Sequence, residues 1–84
     1  KNAEAITCFE KALAIEIKSL GPNHQSVGDT CYNLAGLAMK QGDLKRALEL
    51  FTRASDTYAA AYGSEHARTL AALKLVNQVR AMMA

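Results

Sequence analysis

Two cysteines and two histidines are the residues of this 84-residue chain whose types could support chemistry. A thiol beside an imidazole can act as a nucleophile pair, and both side chains are zinc ligands. Neither C-x-x-C nor H-E-x-x-H occurs, however, and nothing supplies the orienting group and oxyanion site that a nucleophile needs. The sequence therefore predicts no catalytic residues, no metal site and no cofactor, and we expect a protein that is not an enzyme.

The spacing of these four residues favours structural roles instead. His24 and His66 each follow a glycine-containing turn, which favours a place at the start of a helix. Cys8 and Cys31 are embedded in apolar periodic segments. We expect two free, largely buried thiols that serve as small apolar residues rather than a disulfide.

Composition and charge exclude several classes of partner. The net charge of +2 comes from interspersed signs, so no basic block predicts binding to nucleic acid or to a membrane surface. No apolar run approaches the roughly 18 residues that span a bilayer, and the first residues lack the layout of a signal peptide. The expected location is cytoplasmic.

The elements that must position any site are helices, because Ala and Leu are abundant and apolar residues recur at three- and four-residue steps. Four helices are predicted, over residues 3–20, 24–40, 43–62 and 66–83, with breaks at Gly21-Pro22, Gly42-Asp43 and Gly63-Ser64. The residues expected on their core faces are Ala5, Phe9, Ala12, Leu13 and Leu20, then Val27, Cys31, Leu34, Leu37 and Ala38, then Leu44, Ala47, Leu48, Phe51, Ala54, Ser55, Tyr58 and Tyr62, and finally Leu70, Leu73, Val76 and Val79.

The chain repeats itself after 42 residues. That shift aligns identical residues at core-facing and turn positions, namely Ala5 with Ala47, Phe9 with Phe51, Ala12 with Ala54, Gly21 with Gly63 and His24 with His66. A short helical hairpin cannot bury its apolar face alone, so similar hairpins stack into a solenoid. Phe51 must be buried if this register is correct.

The motif around the central turn resembles the tetratricopeptide repeat. The positions that carry the resemblance are Cys31, Leu34, Ala35 and Ala38 in the first helix of the hairpin, Gly42 at the turn, and Ala47, Phe51 and Ala54 in the second helix. The 42-residue period and the turn Leu20-Gly21-Pro22-Asn23-His24 are similar to the kinesin light chain type of repeat. The resemblance implies an all-α fold in which antiparallel helix hairpins form a short right-handed α-solenoid.

In that register residues 1–84 form one segment of an expected longer array. Residues 1–20 are the second helix of a truncated repeat, 24–62 are a complete repeat, and 66–83 are a terminal or capping helix. The capping role is expected because Asn77 and Arg80 stand where Ala35 and Ala38 stand in the complete repeat. At the other end Phe9 and its neighbouring alanines would leave an apolar strip on the N-terminal helix, which favours self-association.

The resemblance also implies a concave groove, lined by the first helix of each repeat, that takes a peptide. Asn33 is the main candidate, since an amide there can hydrogen-bond a peptide backbone, and Tyr32 beside it offers an aromatic surface. Lys40 and Lys74 would favour an acidic peptide, whereas Asp29 would oppose one. Three alternatives remain open. Asn33 could be a solvated amide on an exposed face, Tyr32 could be a partly buried packing residue, and the two lysines could be simple solubilising charges. The remaining candidates are Gly36, Met39 and Gln78.

The sequence thus predicts a scaffold that binds a protein or peptide partner in the groove. The alternative is a building block of a larger assembly that contacts its neighbours through its convex face or its ends. A helix-turn-helix module for nucleic acid is a weaker alternative, against which the balanced charge argues.

Overall fold

The computed structural model describes residues 2–84, with side chains from Glu4 onward, as four helices. These are α1 (Asn2–Leu20), α2 (Gln25–Lys40), α3 (Leu44–Tyr62) and α4 (Ala67–Met83). Helix α2 packs most extensively on α3, α3 packs on α4, and α1 packs on α2. The described chain contains no strand, so the predicted all-α fold is confirmed, with helix bounds within two residues of those expected.

The turn between α1 and α2 recurs between α3 and α4. Gly21 and Gly63 have φ values of 89° and 103°, which glycine adopts without Cβ strain. The Gly21 N–H donates to the carbonyl of Ile17 at 3.0 Å, and the Gly63 N–H donates to that of Ala59 at 2.9 Å. The same bond therefore closes both helices one period apart, which supports the internal repeat.

Both histidines are helix N-caps. The backbone N–H of Ser26 donates to Nδ1 of His24 at 3.1 Å, and the N–H of Arg68 donates to Nδ1 of His66 at the same distance. Each side chain satisfies a donor that the first turn of a helix leaves unpaired. The predicted structural role of the histidines at helix starts is confirmed.

Replacing His24 with alanine should lower the free energy of unfolding by about 0.5–2 kcal/mol, because the Ser26 N–H loses its acceptor. Urea denaturation followed by circular dichroism at 222 nm measures this. His24→Asn is the matched control, since asparagine supplies an acceptor at the same place and should retain most of the stability. Equal losses in both variants would show that the histidine acts through packing and not as a cap.

The core lies between α2 and α3 and extends to α4. Phe51 is 2 % exposed, as the repeat register requires. Small residues let the helices approach closely, and large residues fill the gaps between them. The buried apolar residues are Val27, Cys31, Leu34, Ala35, Ala38, Ala47, Leu50, Phe51, Ala54, Tyr58, Ala72, Val76 and Val79.

Helix α1 departs from two sequence expectations. It packs against the core through Ile6, Phe9, Leu13 and Ile17, whereas Leu20 is exposed. Cys8 is also exposed, so the prediction of a largely buried thiol was wrong for Cys8 and is confirmed only for Cys31. Helix α1 packs on α2 and forms one ion pair with α3, from Glu10 to Arg46, and these contacts leave the side of α1 that carries Cys8 exposed.

The buried side of α4 is also not the predicted one. Leu70 and Leu73, which were expected in the core, are 51 % and 41 % exposed. The side that packs on α3 consists instead of Thr69, Ala72, Val76 and Val79. Helix α4 carries apolar residues on two sides, and α3 covers only one of them.

Candidate functional site

An open depression of about 450 Å³ lies where α2, α3 and α4 meet. Three of the predicted groove residues, Asp29, Tyr32 and Asn33, line it together from α2. Tyr58 of α3 and two residues at the start of α4, Arg68 and Ala71, complete the lining. The structure therefore brings part of the predicted site into one place.

The other groove candidates lie outside this depression. Met39 is half-buried and packs against the core near the end of α2. Lys40 is exposed at the last position of α2, and Lys74 and Gln78 are exposed on α4. Gly36 is half-buried, with open space where a Cβ would stand. A ligand could reach these positions only if it extended beyond the depression.

Sequence reasoning missed the charge pair in the depression. Arg68 Nη1 lies 3.1 Å from Asp29 Oδ1, and the Tyr58 hydroxyl donates a hydrogen bond to the same oxygen. Asp29 is thus neutralised by a cation and is not the isolated negative charge that would oppose an acidic ligand. Tyr58 was not identified as a site residue, because a tyrosine at core spacing is expected to pack in the interior.

The Tyr58 ring is buried while its hydroxyl reaches the edge of the depression. Burial raises the pKa of Tyr58, and the hydrogen bond to Asp29 raises it further, so the phenol keeps its proton at neutral pH and can donate. The Arg68–Asp29 pair is half-exposed on both sides. Such pairs contribute only about 0–1 kcal/mol, so a ligand can displace this one at little cost.

Tyr32 and Asn33 differ in how firmly they are held. The Tyr32 ring meets Phe51 edge to face, with centroids 5.4 Å apart and an angle of 80°. This contact anchors a half-buried ring beside the depression. Asn33 is exposed, and no side-chain hydrogen bond ties its amide to the described part of the chain. The arrangement combines a fixed aromatic surface with a free amide donor and acceptor, which suits binding to a polypeptide backbone.

Cys31 lies in an environment that disfavours nucleophilic chemistry. Cys31 is buried, and burial raises the pKa of its thiol, which disfavours the reactive thiolate. Among residues 2–84, no three His, Cys, Asp or Glu side chains cluster as metal ligands would. In the same part of the chain, no helix is long and apolar enough to cross a membrane.

A comparison with models of protein families agrees with the helical-repeat fold described above. The family model described as tetratricopeptide repeat matches residues 27–68, a span of 42 residues that covers most of α2, all of α3 and the start of α4. Its length equals the period of the internal repeat. No curated protein matches the chain. The resemblance predicted from the hairpin motif is confirmed, and the chain belongs to the tetratricopeptide repeat family, whose members are non-catalytic scaffolds for protein interactions.

Proposed function

We propose that this chain binds a peptide, or an extended segment of a protein partner, in the depression lined by Asp29, Tyr32, Asn33, Tyr58, Arg68 and Ala71. The observation that carries the proposal is the juxtaposition there of a free amide, an anchored aromatic ring and a weak ion pair. These groups recognise backbone and side chain together.

Each group has a role in this proposal. The Asn33 amide pairs with a backbone N–H and C=O of the ligand, and the Tyr32 ring covers an apolar side chain. A carboxylate on the ligand competes with Asp29 for Arg68, whose side chain is 56 % exposed. A longer ligand continues past Met39 and Lys40 on α2, and past Lys74 and Gln78 on α4. The two lysines favour acidic residues at those positions.

Peptides for the test come from a phage-displayed random library selected on the immobilised chain. Asn33→Ala should weaken the binding of a selected peptide about tenfold or more, since a lost hydrogen-bonding pair of about 1.4 kcal/mol has that effect. Fluorescence anisotropy of the labelled peptide measures the dissociation constant. Asn77→Ala is the matched control, because Asn77 is an exposed asparagine of α4 outside the depression. It should leave the affinity unchanged.

Two further measurements decide whether the peptide binds in the depression or elsewhere on the surface. Chemical shift changes on adding the peptide to the ¹⁵N-labelled chain should centre on Tyr32, Asn33 and Arg68. If replacing Tyr32 and Asn33 together leaves binding intact, while changes at Phe9 or Met82 abolish it, the ligand binds elsewhere and groove binding is wrong.

The second candidate function is a building block that contacts neighbouring proteins through its convex face or its ends. Exposed leucines on α4 favour contacts at that end, because no described helix covers them. Within the proposal, the partner is a protein and not a nucleic acid, and the location is cytoplasmic, in keeping with two free cysteines. Titration with duplex DNA tests whether the chain binds nucleic acid. It is done at low salt because an electrostatic complex has its highest affinity under that condition.

A further inference from the structure

A continuous series of contacts joins the start of α4 to the depression. The His66 ring stacks on the Tyr62 ring, with centroids 4.4 Å apart and an angle of 19° between the planes. Tyr62 in turn stacks on Tyr58, at 5.9 Å and 26°. The Tyr58 hydroxyl donates to Asp29 Oδ1, the oxygen that also pairs with Arg68. His66 is therefore connected, through two stacked rings, to a carboxylate that lines the depression.

The same histidine also holds the backbone of Arg68. The Arg68 N–H donates to Nδ1 of His66 at 3.1 Å, and the Arg68 guanidinium lies 3.1 Å from Asp29 Oδ1. These contacts form a closed network, because one branch runs from His66 through Arg68 to Asp29 and the other returns through the two tyrosines. Two lining residues of the depression, Tyr58 and Arg68, are thus both held from one imidazole ring.

His24 makes the same cap without these connections. Its Nδ1 accepts from the N–H of Ser26 at 3.1 Å, but Ser26 does not line the depression. The residue one period before Tyr62 is Leu20, which is 49 % exposed, so the sequence places no aromatic ring there for His24 to stack on. The two histidines are equivalent as helix caps, and they differ in their connection to the depression.

We propose that His66 is a positioning residue for the depression, and that its protonation weakens ligand binding as the pH falls from about 8 to about 5. This inference rests on the proposed function, since it concerns ligand binding in the same depression. Histidine is the side chain whose ordinary pKa, about 6.5, lies in that range. The network makes one such side chain part of the support of the site.

The direction of the effect follows from which ring nitrogens carry protons. Neutral imidazole has one nitrogen that can accept a hydrogen bond, and here Nδ1 accepts from Arg68. Imidazolium carries a proton on both nitrogens, so it accepts nothing and the Arg68 N–H loses its partner. A cation at the N-terminus of a helix is also unfavourable, because the helix dipole is positive there. Protonation of His66 therefore removes the cap that holds the Arg68 backbone.

The groups that surround His66 do not replace the lost acceptor. Arg68, in the first turn of α4, faces a second positive charge when the ring is protonated. Glu65, which precedes His66 in the turn, and the Tyr62 ring of α3 are groups that attract an imidazolium. An imidazolium drawn to either of them still leaves the Arg68 N–H without an acceptor. The Asp29 carboxylate of α2 already bonds Arg68 and Tyr58.

The lost cap affects binding through the order of the first turn of α4. Helix ends open with free energies near zero, so a cap changes the fraction of molecules in which this turn is ordered. Molecules bind only when Arg68 and Ala71 are in place, and the apparent affinity falls with that fraction. One cap bond changes such an equilibrium by about two- to thirtyfold. We expect the dissociation constant to rise about threefold or more, within that range.

An N-terminally acetylated peptide without histidine, selected on the immobilised chain, provides the binding test. Fluorescence anisotropy should show the dissociation constant rising about threefold or more between pH 8 and pH 5. Circular dichroism at 222 nm at each pH verifies that the chain stays folded. His66→Asn retains an acceptor at the cap and cannot titrate in this range, so its affinity should be the same at both pH values. His24→Asn is the matched control and should keep the pH dependence of the unmodified chain.

The outcomes separate this inference from the proposed function. Binding in the depression at pH 8 without any pH response would overturn the role of His66 and leave the proposed function standing. A response that persists in His66→Asn, or disappears in His24→Asn, would also overturn that role. If no selected peptide binds in the depression at pH 8, the proposed function is wrong and this inference falls with it.

The cap itself can be followed without a ligand. In the ¹⁵N-labelled chain, the Arg68 amide proton should move upfield as the pH falls, because it loses a hydrogen bond, and its midpoint should equal that of the His66 ring. The amide of Asn77, which is on α4 outside the network, should show no such transition. An Arg68 amide that does not follow the His66 ring would overturn the proposed route from the proton to the depression.

Discussion

Replacing Phe51 with alanine should lower the free energy of unfolding by about 3–5 kcal/mol, the largest single effect we expect in this chain. The side chain is 2 % exposed, belongs to the buried core and meets the ring of Tyr32 edge to face. Its removal leaves a cavity that small neighbours such as Ala47 and Ala54 cannot fill. Because a chain of this size is stable by only about 4–13 kcal/mol, the substitution removes a substantial fraction of the total stability. Urea denaturation followed by circular dichroism measures the loss.

Phe9 is the matched control, since it occupies the same position one period earlier. It packs against the core but stays half-buried, whereas Phe51 is 2 % exposed. Phe9→Ala should therefore cost clearly less than Phe51→Ala. If Phe51→Ala prevents folding altogether, Phe51→Leu provides a milder variant whose midpoint can be measured. Equal losses at Phe9 and Phe51 would contradict the assignment of Phe51 to the centre of the core.

The sequence predicted the features that repeat. Gly21 and Gly63 predicted two equal turns, and His24 and His66 predicted two equal helix starts, because the backbone geometry of a turn depends on local residues. The burial of Phe51 followed from its place in the hairpin pattern. Local chemistry and periodicity were sufficient for these features.

Burial at the ends of the chain could not be predicted in the same way. Leu70 and Leu73 have the spacing of core residues, yet exposure depends on whether a neighbouring helix exists on that side. Cys8 was misjudged for the same reason. Apolar spacing identifies the sides of a helix that are able to pack, and only the number of neighbouring helices determines which of them do.

The candidate site was predicted only where one helix carries it. Asp29, Tyr32 and Asn33 lie within four residues of one another on α2, so their place on one side of that helix was accessible from sequence. The pairing of Asp29 with Arg68 joins residues from two helices that only the packing of α4 on α3 brings together. No local pattern contains that information.

Replacing Gly28 with alanine should lower the free energy of unfolding by about 1–3 kcal/mol, the range for overpacked cores. A Cβ there would lie 2.7 Å from Cε1 and 2.9 Å from Cδ1 of Tyr58, well inside van der Waals contact. The ring is held by burial, by its bond to Asp29 and by stacking on Tyr62 at 5.9 Å, so it cannot turn aside freely. Urea denaturation measures the change.

Gly36 is the matched control within the same helix. It is also a helical glycine, but a Cβ there meets nothing within 4 Å. Gly36→Ala should raise the free energy of unfolding by about 0.5–1 kcal/mol, the usual gain of alanine over glycine in a helix interior. The two substitutions are chemically identical and differ only in the space available, so their effects should have opposite signs. A stabilising Gly28→Ala would show that the Tyr58 ring has room to move.

Replacing the Tyr58 ring with a smaller side chain should remove the destabilisation caused by Gly28→Ala. In a Tyr58→Leu background the clashing ring atoms are absent, so Gly28→Ala should cost less than in the unmodified chain or become neutral. The difference between the two backgrounds is the coupling energy of a double-mutant cycle, which we expect to be about 0.5–3 kcal/mol for residues in direct contact. Tyr58→Phe separates the ring from its hydroxyl: it keeps the clash but loses the bond to Asp29, so it should not rescue Gly28→Ala. Rescue by phenylalanine would mean that the hydroxyl bond, and not the ring's volume, prevents Tyr58 from accommodating the extra methyl group.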